Sequence, residues 1–324
     1  MNVAIIGCGG MGALHAQMAA NCGLKVALCA DVVRPAAKAL AEKHGAKVAA
    51  GPEAACAAKS VDIVAITTPT PTHLPLIRAA AAAGKQIFCE KPFCRTVPEC
   101  EKAIRIAEKA GVKLFVGHVV RYFHEFEKMR EQIQAGALGE VGWVKLYRGG
   151  VFPGGPKSWF RDYKQTGGAT LDSMIHDLDW VRYVFGEPER VFCQTLMRSE
   201  PVTMDHSQVT LRMKSGLIAT VIGTWAQPSG FRVMAEICGS RGMLQYDMNE
   251  APLRLEARAT AAGPNWFVPM NPVMKSPYQS EWEDFLAWLD GTGTPRVTAR
   301  DALAAVAMAE AALKSAKTGQ PVTF

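Results

Sequence analysis

The sequence has 324 residues, long for one domain, so two domains are expected. Apolar residues make up 49% and charged residues 20%, the balance of a chain that buries a core rather than one that stays disordered. The net charge of +6 comes from 36 basic residues interspersed with 30 acidic ones, with no basic block, which argues against nucleic-acid binding.

The chain opens on an apolar run, Val3 to Ile6, followed by Gly7, Cys8, Gly9, Gly10, Met11 and Gly12 and then a helix-like stretch from Ala13 to Ala20. A strand, a G-x-G-x-x-G turn and a helix in this order form the dinucleotide-binding fingerprint. Gly7 permits the tight turn, Gly9 lets a pyrophosphate approach the backbone, and Gly12 lets the helix pack close to the strand. The phosphates would meet the free N–H groups and positive dipole end of that helix. A second apolar run, Val26 to Ala30, ends in Asp31, about twenty residues past the last glycine. A carboxylate there accepts hydrogen bonds from ribose hydroxyls and repels a 2′-phosphate, which favours NAD. Arg34 keeps NADP open, because an arginine nearby can receive that phosphate.

Strands are expected at 2–6, 25–30, 46–49, 62–67, 86–89 and 113–116, separated by Ala-rich or amphipathic helices. These include Pro35 to Lys43, Thr72 to Ala83 and Pro98 to Ala110. Several helices start at or near a proline, which suits the first helical turn. Repeated βα units predict a doubly wound parallel sheet, a Rossmann domain over residues 1–120. Beyond it, Glu125 to Ala135 reads as a helix and Val141 to Gly149 as a strand. The Gly- and Pro-rich segment 153–168 reads as a loop, and Val209 to Lys214 alternates as a half-buried strand does. Leu217 to Trp225, Arg232 to Cys238 and Met243 to Tyr246 continue that pattern. Residues 121–324 therefore read as an α+β domain with a large, mostly antiparallel open sheet, whose uncovered face would be an oligomer interface. Ser280 to Glu283 fits a capping box ahead of the stripe Trp282, Phe285, Leu286 and Leu289, and a last helix runs from Thr298 to Thr318.

Nine cysteines, seven of them in the first hundred residues and none in a Cys-x-x-Cys pair, fit reduced, buried thiols. With no bilayer-spanning run and a strand already under way at Asn2, a cytoplasmic location is the expectation.

Two clusters carry chemistry. Glu90, Lys91 and Pro92 close a strand, which places Lys91 at the carboxyl edge of the sheet, and the proline restricts it to extended backbone. Gly167 and Gly168 precede Asp172 and His176, which are four residues apart and would share one face of a helix. A histidine held by a carboxylate suits general-base work near neutral pH. The residues alone leave alternatives open: a surface lysine, an ordinary helix pair, or a metal site with Asp177. For that last reading no further His or Cys falls at ligand spacing.

Together, the glycine turn, Thr67, Thr68 and Pro69 with His73, the Glu90-Lys91-Pro92 run, and Gly167-Gly168 with Asp172 and His176 resemble the Gfo/Idh/MocA oxidoreductases. The resemblance runs nearly end to end and includes Phe231 to Leu244 and the last helix. It implies hydride transfer between a secondary alcohol of a sugar, inositol or related polyol and the nicotinamide of NAD or NADP. Lys91 would contact the substrate hydroxyl and the cofactor ribose, Asp172 would orient the substrate, and His176 would take the hydroxyl proton. Thr68, Pro69, His73 and Glu90 would join the cofactor site. His118, Arg121, Trp159 and Arg161 are candidates for a polyol subsite through stacking and bidentate hydrogen bonds. A homodimer or homotetramer built through the C-terminal sheet is the expected assembly. Two other readings are an NADP-linked sugar-nucleotide reductase and a non-catalytic NAD- or sugar-sensing regulator. The regulator is disfavoured because Lys91, Asp172 and His176 are all intact.

Overall fold

The structure, a computed structural model, describes residues 1–154, 158–198, 203–250 and 274–324. Three residues of the expected 153–168 loop, 155–157, therefore lie outside the described residues. The chain forms two compact units, one of Met1–Val119 with Ser276–Leu303 and one of Val120–Lys275 with Ala304–Phe324. A single cut near residue 120 leaves out one return: the segment from Ser276 belongs with the first unit, because its aromatic side chains pack there.

In the first unit the elements run β1 (Asn2–Ile6), α1 (Gly10–Asn21), β2 (Lys25–Ala30), α2 (Arg34–His44), β3 (Lys47–Val48), α3 (Pro52–Ala57) and β4 (Ile63–Ile66). They continue through α4 (His73–Ala82), β5 (Gln86–Glu90), α5 (Val97–Ala110) and β6 (Leu114–Gly117). All six strands are parallel, in the order β3-β2-β1-β4-β5-β6. The order reverses between β1 and β4, and in such sheets the crevice for a ligand opens at the carboxyl ends of the strands there. β1 and β4 are buried along nearly their whole length, as strands covered on both faces must be. The start of α5 is fixed by a capping box between Thr96 and Glu99, with Pro98 in its first turn.

The second unit contains α6 (His124–Gln134), β7 (Val141–Val151), α7 (Tyr163–Thr166), α8 (Gly168–Asp172), α9 (Ile175–Phe185), β8 (Pro188–Arg198) and β9 (Met204–Met213). After these come β10 (Ile218–Thr224), β11 (Ala226–Gly239) and β12 (Gly242–Asp247). α10 (Pro277–Leu289), α11 (Ala299–Thr318) and β13 (Val322–Thr323) complete the chain. The seven-stranded sheet has the order β12-β11-β7-β10-β9-β8-β13, and only the β7–β10 pair is parallel. The expected α/β Rossmann domain and mostly antiparallel second sheet are both present.

The alternation read in Val209 to Lys214 is real: Val209, Leu211 and Met213 are buried, and Gln208 and Arg212 are exposed. Among the described residues, one sheet face is covered and the other is not. On the open face, paired registers bring together Trp143 and Ile218, Lys145 and Glu236, and Cys238 and Met243. Trp143, Ile218, Met243 and Phe192 are exposed apolar side chains there.

Two local expectations change. Ser280 does not cap a helix, because α10 begins at Pro277 with Ser276 ahead of it, so Ser280 and Glu281 are interior. Within the expected loop 153–168, a 3-10 turn at Trp159–Arg161 and the short α7 appear, the latter capped by Asp162 through Lys164 N–H. None of the nine cysteines forms a disulfide, and seven of them are buried. Among the described residues no helix is long and apolar enough to cross a membrane.

Candidate functional site

The glycine turn closes β1 at the switch point. Gly7 has φ +93°, and a Cβ there would lie 2.7 Å from the Thr67 backbone. A Cβ on Gly12 would collide with the Gly7 carbonyl oxygen, so α1 can start only where residue 12 lacks a side chain. Thr67, at the end of β4, locks the turn from the neighbouring strand. Its hydroxyl donates to Gly7 O at 2.7 Å and Ile6 O at 3.0 Å, and its N–H donates to Ile6 O at 2.8 Å.

Gly9 differs from the other two. A Cβ there would meet nothing within 4 Å. Gly9 is also the N-cap of α1, with no side-chain cap and no acidic residue in the first turn. The first N–H groups of a helix without a capping side chain form a ready anion site. A dinucleotide pyrophosphate, if bound here, would be held by the backbone N–H groups after Gly9.

Asp31 stands at the end of β2, as expected. Its Oδ2 accepts the Cys8 N–H at 2.6 Å and its Oδ1 accepts the Val33 N–H at 2.7 Å. The carboxylate therefore orients the glycine turn, and each oxygen keeps a lone pair for a ribose hydroxyl. Arg34 is exposed at the first position of α2. Thr68 and Pro69 form the turn after β4, where the Thr72 hydroxyl donates to Thr68 Oγ1 at 2.7 Å.

His73 does not offer a polar atom to a dinucleotide. It is wholly buried, with Nε2 2.9 Å from Thr68 O and Nδ1 3.1 Å from Phe93 O. Burial pushes the imidazole below its ordinary pKa. The ring lies between the Thr68 and Phe93 carbonyls, where the Thr68 turn meets the loop after Pro92.

Glu90 also turns inward. It is 5% exposed, and both carboxylate oxygens are engaged within the unit. Oε1 is 2.6 Å from His15 Nε2, and Oε2 accepts the Lys91 N–H at 2.9 Å. Burial pushes Glu90 up, but the His15 hydrogen bond and the nearby positive charge outweigh it, so the carboxyl sits below its ordinary range. Lys91 is half-buried at the carboxyl end of β5, and its peptide bond to Pro92 is cis.

His15 was not legible as a site residue. It is wholly buried on α1, and Trp282 of α10 donates its indole N–H to His15 Nδ1 at 3.0 Å. Phe88 of β5 stacks on Trp282 with ring centroids 4.5 Å apart and planes 8° apart. The signal in the sequence is slight: a polar ring three residues past Gly12, in a helix otherwise rich in alanine.

In the second unit, Asp172 and His176 are not on one regular helix. Asp172 ends α8 and His176 is the second residue of α9, with a bend at Ser173–Met174. At the bend the Met174 N–H reaches back to Ala169 O at 2.8 Å, and the Asp177 N–H donates to Met174 O at 3.0 Å. These bonds span five residues and then three, a loosened turn followed by a tightened one. Met174 is fully buried over Gly223 of β10, where any Cβ would strike it, so the glycine makes room for the bend. Asp172 and His176 are both half-buried.

Gly167 and Gly168 both have positive φ, +68° and +64°. A Cβ on Gly168 would strike Asp205 Oδ2, and that same oxygen accepts the Ala169 N–H at 2.7 Å. Asp205, on β9, therefore fixes the start of α8. Burial pushes its carboxyl above its ordinary pKa.

α9 is anchored by two buried forks. Arg148 of β7 donates through Nε and Nη2 to Asp177 at 2.7 and 2.9 Å. Arg121 donates through Nε and Nη2 to Asp179 at 2.7 and 2.6 Å, with its guanidinium 4.2 Å from the Tyr183 ring centroid. Arg121, expected in the substrate site, is 3% exposed and serves this anchor instead. His118, expected beside it, is wholly buried at the end of β6. Trp159 is half-buried against Phe160 at 4.4 Å between centroids, and Arg161 is exposed, so both remain available to a ligand.

Two family profiles cover most of the chain: residues 1–118 match the oxidoreductase family with an NAD-binding Rossmann fold, and residues 126–245 match the GFO/IDH/MocA C-terminal domain. An inositol 2-dehydrogenase of Rhizobium meliloti is 30% identical over 325 residues, spanning 96% of this chain and 95% of the relative. A D-apiose dehydrogenase of Paraburkholderia graminis is 29% identical over 98% of this chain and 88% of its own length. Among solved structures, GenD2 from gentamicin A biosynthesis in complex with NAD superposes with a TM-score of 0.89 at 26% identity, covering 100% of this chain and 96% of that one. A myo-inositol dehydrogenase from Corynebacterium glutamicum gives a TM-score of 0.82 at 26% identity, with coverage of 100% and 98%. Both units, the switch-point glycine turn and the near-full-length relatives lead to one assignment: the chain belongs to the Gfo/Idh/MocA family of oxidoreductases.

Proposed function

We propose that the protein is an NAD-dependent dehydrogenase of a polyol, with an inositol or an aldose as its substrate. One arrangement carries the reading. The Gly9 cradle, the Asp31 carboxylate and Lys91 lie at the carboxyl ends of β1, β2 and β5, flanking the switch point where a dinucleotide binds such a sheet. Asp31 favours NAD, because its carboxylate would repel a 2′-phosphate. NAD supplies the hydride acceptor when bound. The chain's own residues do the rest. The Lys91 ammonium steadies negative charge on the substrate oxygen, His176 takes the hydroxyl proton, and Asp172 orients the substrate. Trp159 and Arg161 are proposed contacts to the polyol. Relatives named as inositol and D-apiose dehydrogenases support that substrate class. The exposed apolar stripe on the second sheet supports self-association through that face.

NADH formation across a panel of inositols, aldoses and sugar acids identifies the substrate. On that substrate, Lys91→Ala and His176→Ala are each expected to abolish turnover while NAD still binds. Near-normal turnover in both variants overturns the assignment.

A further inference from the structure

Lys91 is reached from the core by a chain of hydrogen bonds with a fixed direction. An indole nitrogen only donates, so Trp282 Nε1–H makes His15 Nδ1 the acceptor, at 3.0 Å. A neutral imidazole then carries its proton on Nε2, which donates to Glu90 Oε1 at 2.6 Å. The other oxygen of Glu90 accepts the Lys91 N–H at 2.9 Å. The chain runs through buried side chains on three elements, α10, α1 and β5. Phe88 and Tyr278 flank the imidazole, with centroids 4.9 and 5.9 Å from it, and Trp282 is stacked on Phe88, so neither ring is free to turn.

We infer that Trp282 and His15 are positioning residues for the reaction: they set the His15 tautomer, which orients Glu90, which in turn holds the backbone of Lys91. The inference rests on the proposed role of Lys91 at the substrate oxygen. Misplacing a reacting group by about 1 Å from a distance can cost on the order of a hundredfold in rate. A merely packed aromatic cluster would hold β5 without fixing a proton on one ring nitrogen.

The directionality makes the inference testable by variants that keep shape. Glu90→Gln puts one acceptor and one donor where the chain has two donors, His15 Nε2–H and Lys91 N–H, so either amide orientation leaves a donor facing a donor. Trp282→Phe removes the indole N–H and frees His15 to carry its proton on Nδ1. Nε2 can then accept from the amide. Glu90→Gln alone is therefore expected to lower kcat by about tenfold to a hundredfold. The Glu90→Gln, Trp282→Phe double variant is expected to recover much of the loss. A double variant no faster than Glu90→Gln overturns the inference.

Nitrogen-15 NMR of the histidines supplies a readout independent of turnover. His15 is expected to carry its proton on Nε2 in the wild type and to shift to Nδ1 in the double variant. A proton on Nδ1 in the wild type overturns the chain itself. Full activity in Lys91→Ala overturns the role of Lys91, and with it the kinetic part of the inference, while the tautomer measurement still decides the chain.

Discussion

Arg148 grips Asp177 through two parallel hydrogen bonds of 2.7 and 2.9 Å, one residue beyond His176 and with both partners buried. Breaking such a pair from one side strands a charge. Arg148→Met is expected to cost about 3–5 kcal/mol of stability, read as a lowered denaturant midpoint. Arg121→Met, which strands Asp179, should cost a similar amount. A loss well below 1 kcal/mol in both would mean that water or a nearby side chain compensates, and that these forks do not anchor α9.

Two glycines of the first turn should fail differently. Gly12→Ala drives a methyl into the Gly7 carbonyl and is expected to lower the melting temperature and abolish NAD binding together. A Cβ at Gly9 meets open space, so in Gly9→Val the unit should stay folded while NAD affinity falls. Thermal unfolding with and without NAD separates the two cases. Wild-type NAD affinity in Gly9→Val would remove the cradle from the cofactor site.

Asp31→Ser is expected to narrow the preference for NAD over NADP by about tenfold or more, a change of ~1.4 kcal/mol. Paired titrations with the two dinucleotides measure it. A serine offers one acceptor oxygen where the carboxylate offers two, one each to the Cys8 and Val33 N–H groups, so NAD affinity should fall as well. Tighter NADP than NAD binding by the wild type refutes this reading of Asp31.

Glu281 makes stability depend on pH. It is fully buried, neither oxygen has a hydrogen-bond partner among the described residues, and burial raises its carboxyl well above the ordinary 4.5. In the unfolded chain the group ionises near 4.5, while in the folded chain it stays protonated to higher pH. Between those values the folded state binds more protons, so the stability of the wild type falls as pH rises through that window. Glu281→Gln removes this slope. The variant should match the wild type near pH 4 and exceed it at neutral pH, in denaturant titrations across pH. Parallel curves would show that Glu281 is not the group responsible.

The open face of the second sheet gives the last prediction. Trp143→Glu, beside Ile218, should shift light-scattering mass from a multiple of 35.0 kDa toward a single chain. A wild type that is already monomeric at micromolar concentration overturns the self-association proposal.

Much of this architecture was legible because its signals are local. Gly7 and Gly12 declare backbone constraints, and the alternation of Val209, Leu211 and Met213 declares a half-covered strand. Lys91 and Asp31 are placed by the strands that end at them. What stayed hidden depends on long-range pairing. Arg121 reads as a substrate contact until Asp179, 58 residues away, claims it. His15 is claimed by Trp282, 267 residues away, and no spacing rule reaches that far. Ser280 and Glu283 misled because a capping box is a four-residue pattern, whereas the true start of α10 was set by Pro277 and by which aromatic side chains could reach the core. The bend between Asp172 and His176 was missed for a similar reason, since it depends on Gly223 of a distant strand leaving space for Met174.

That bend has an evolutionary consequence. With Asp172 and His176 on two short rods joined at a two-residue elbow, their mutual angle is set by Ser173, Met174 and the space that Gly223 leaves opposite them. A lineage could retune that angle by exchanging volume between positions 174 and 223, without disturbing the Arg148 and Arg121 anchors that fix α9. The elbow is a place where relatives that keep both residues could diverge in the angle at which the two side chains are presented.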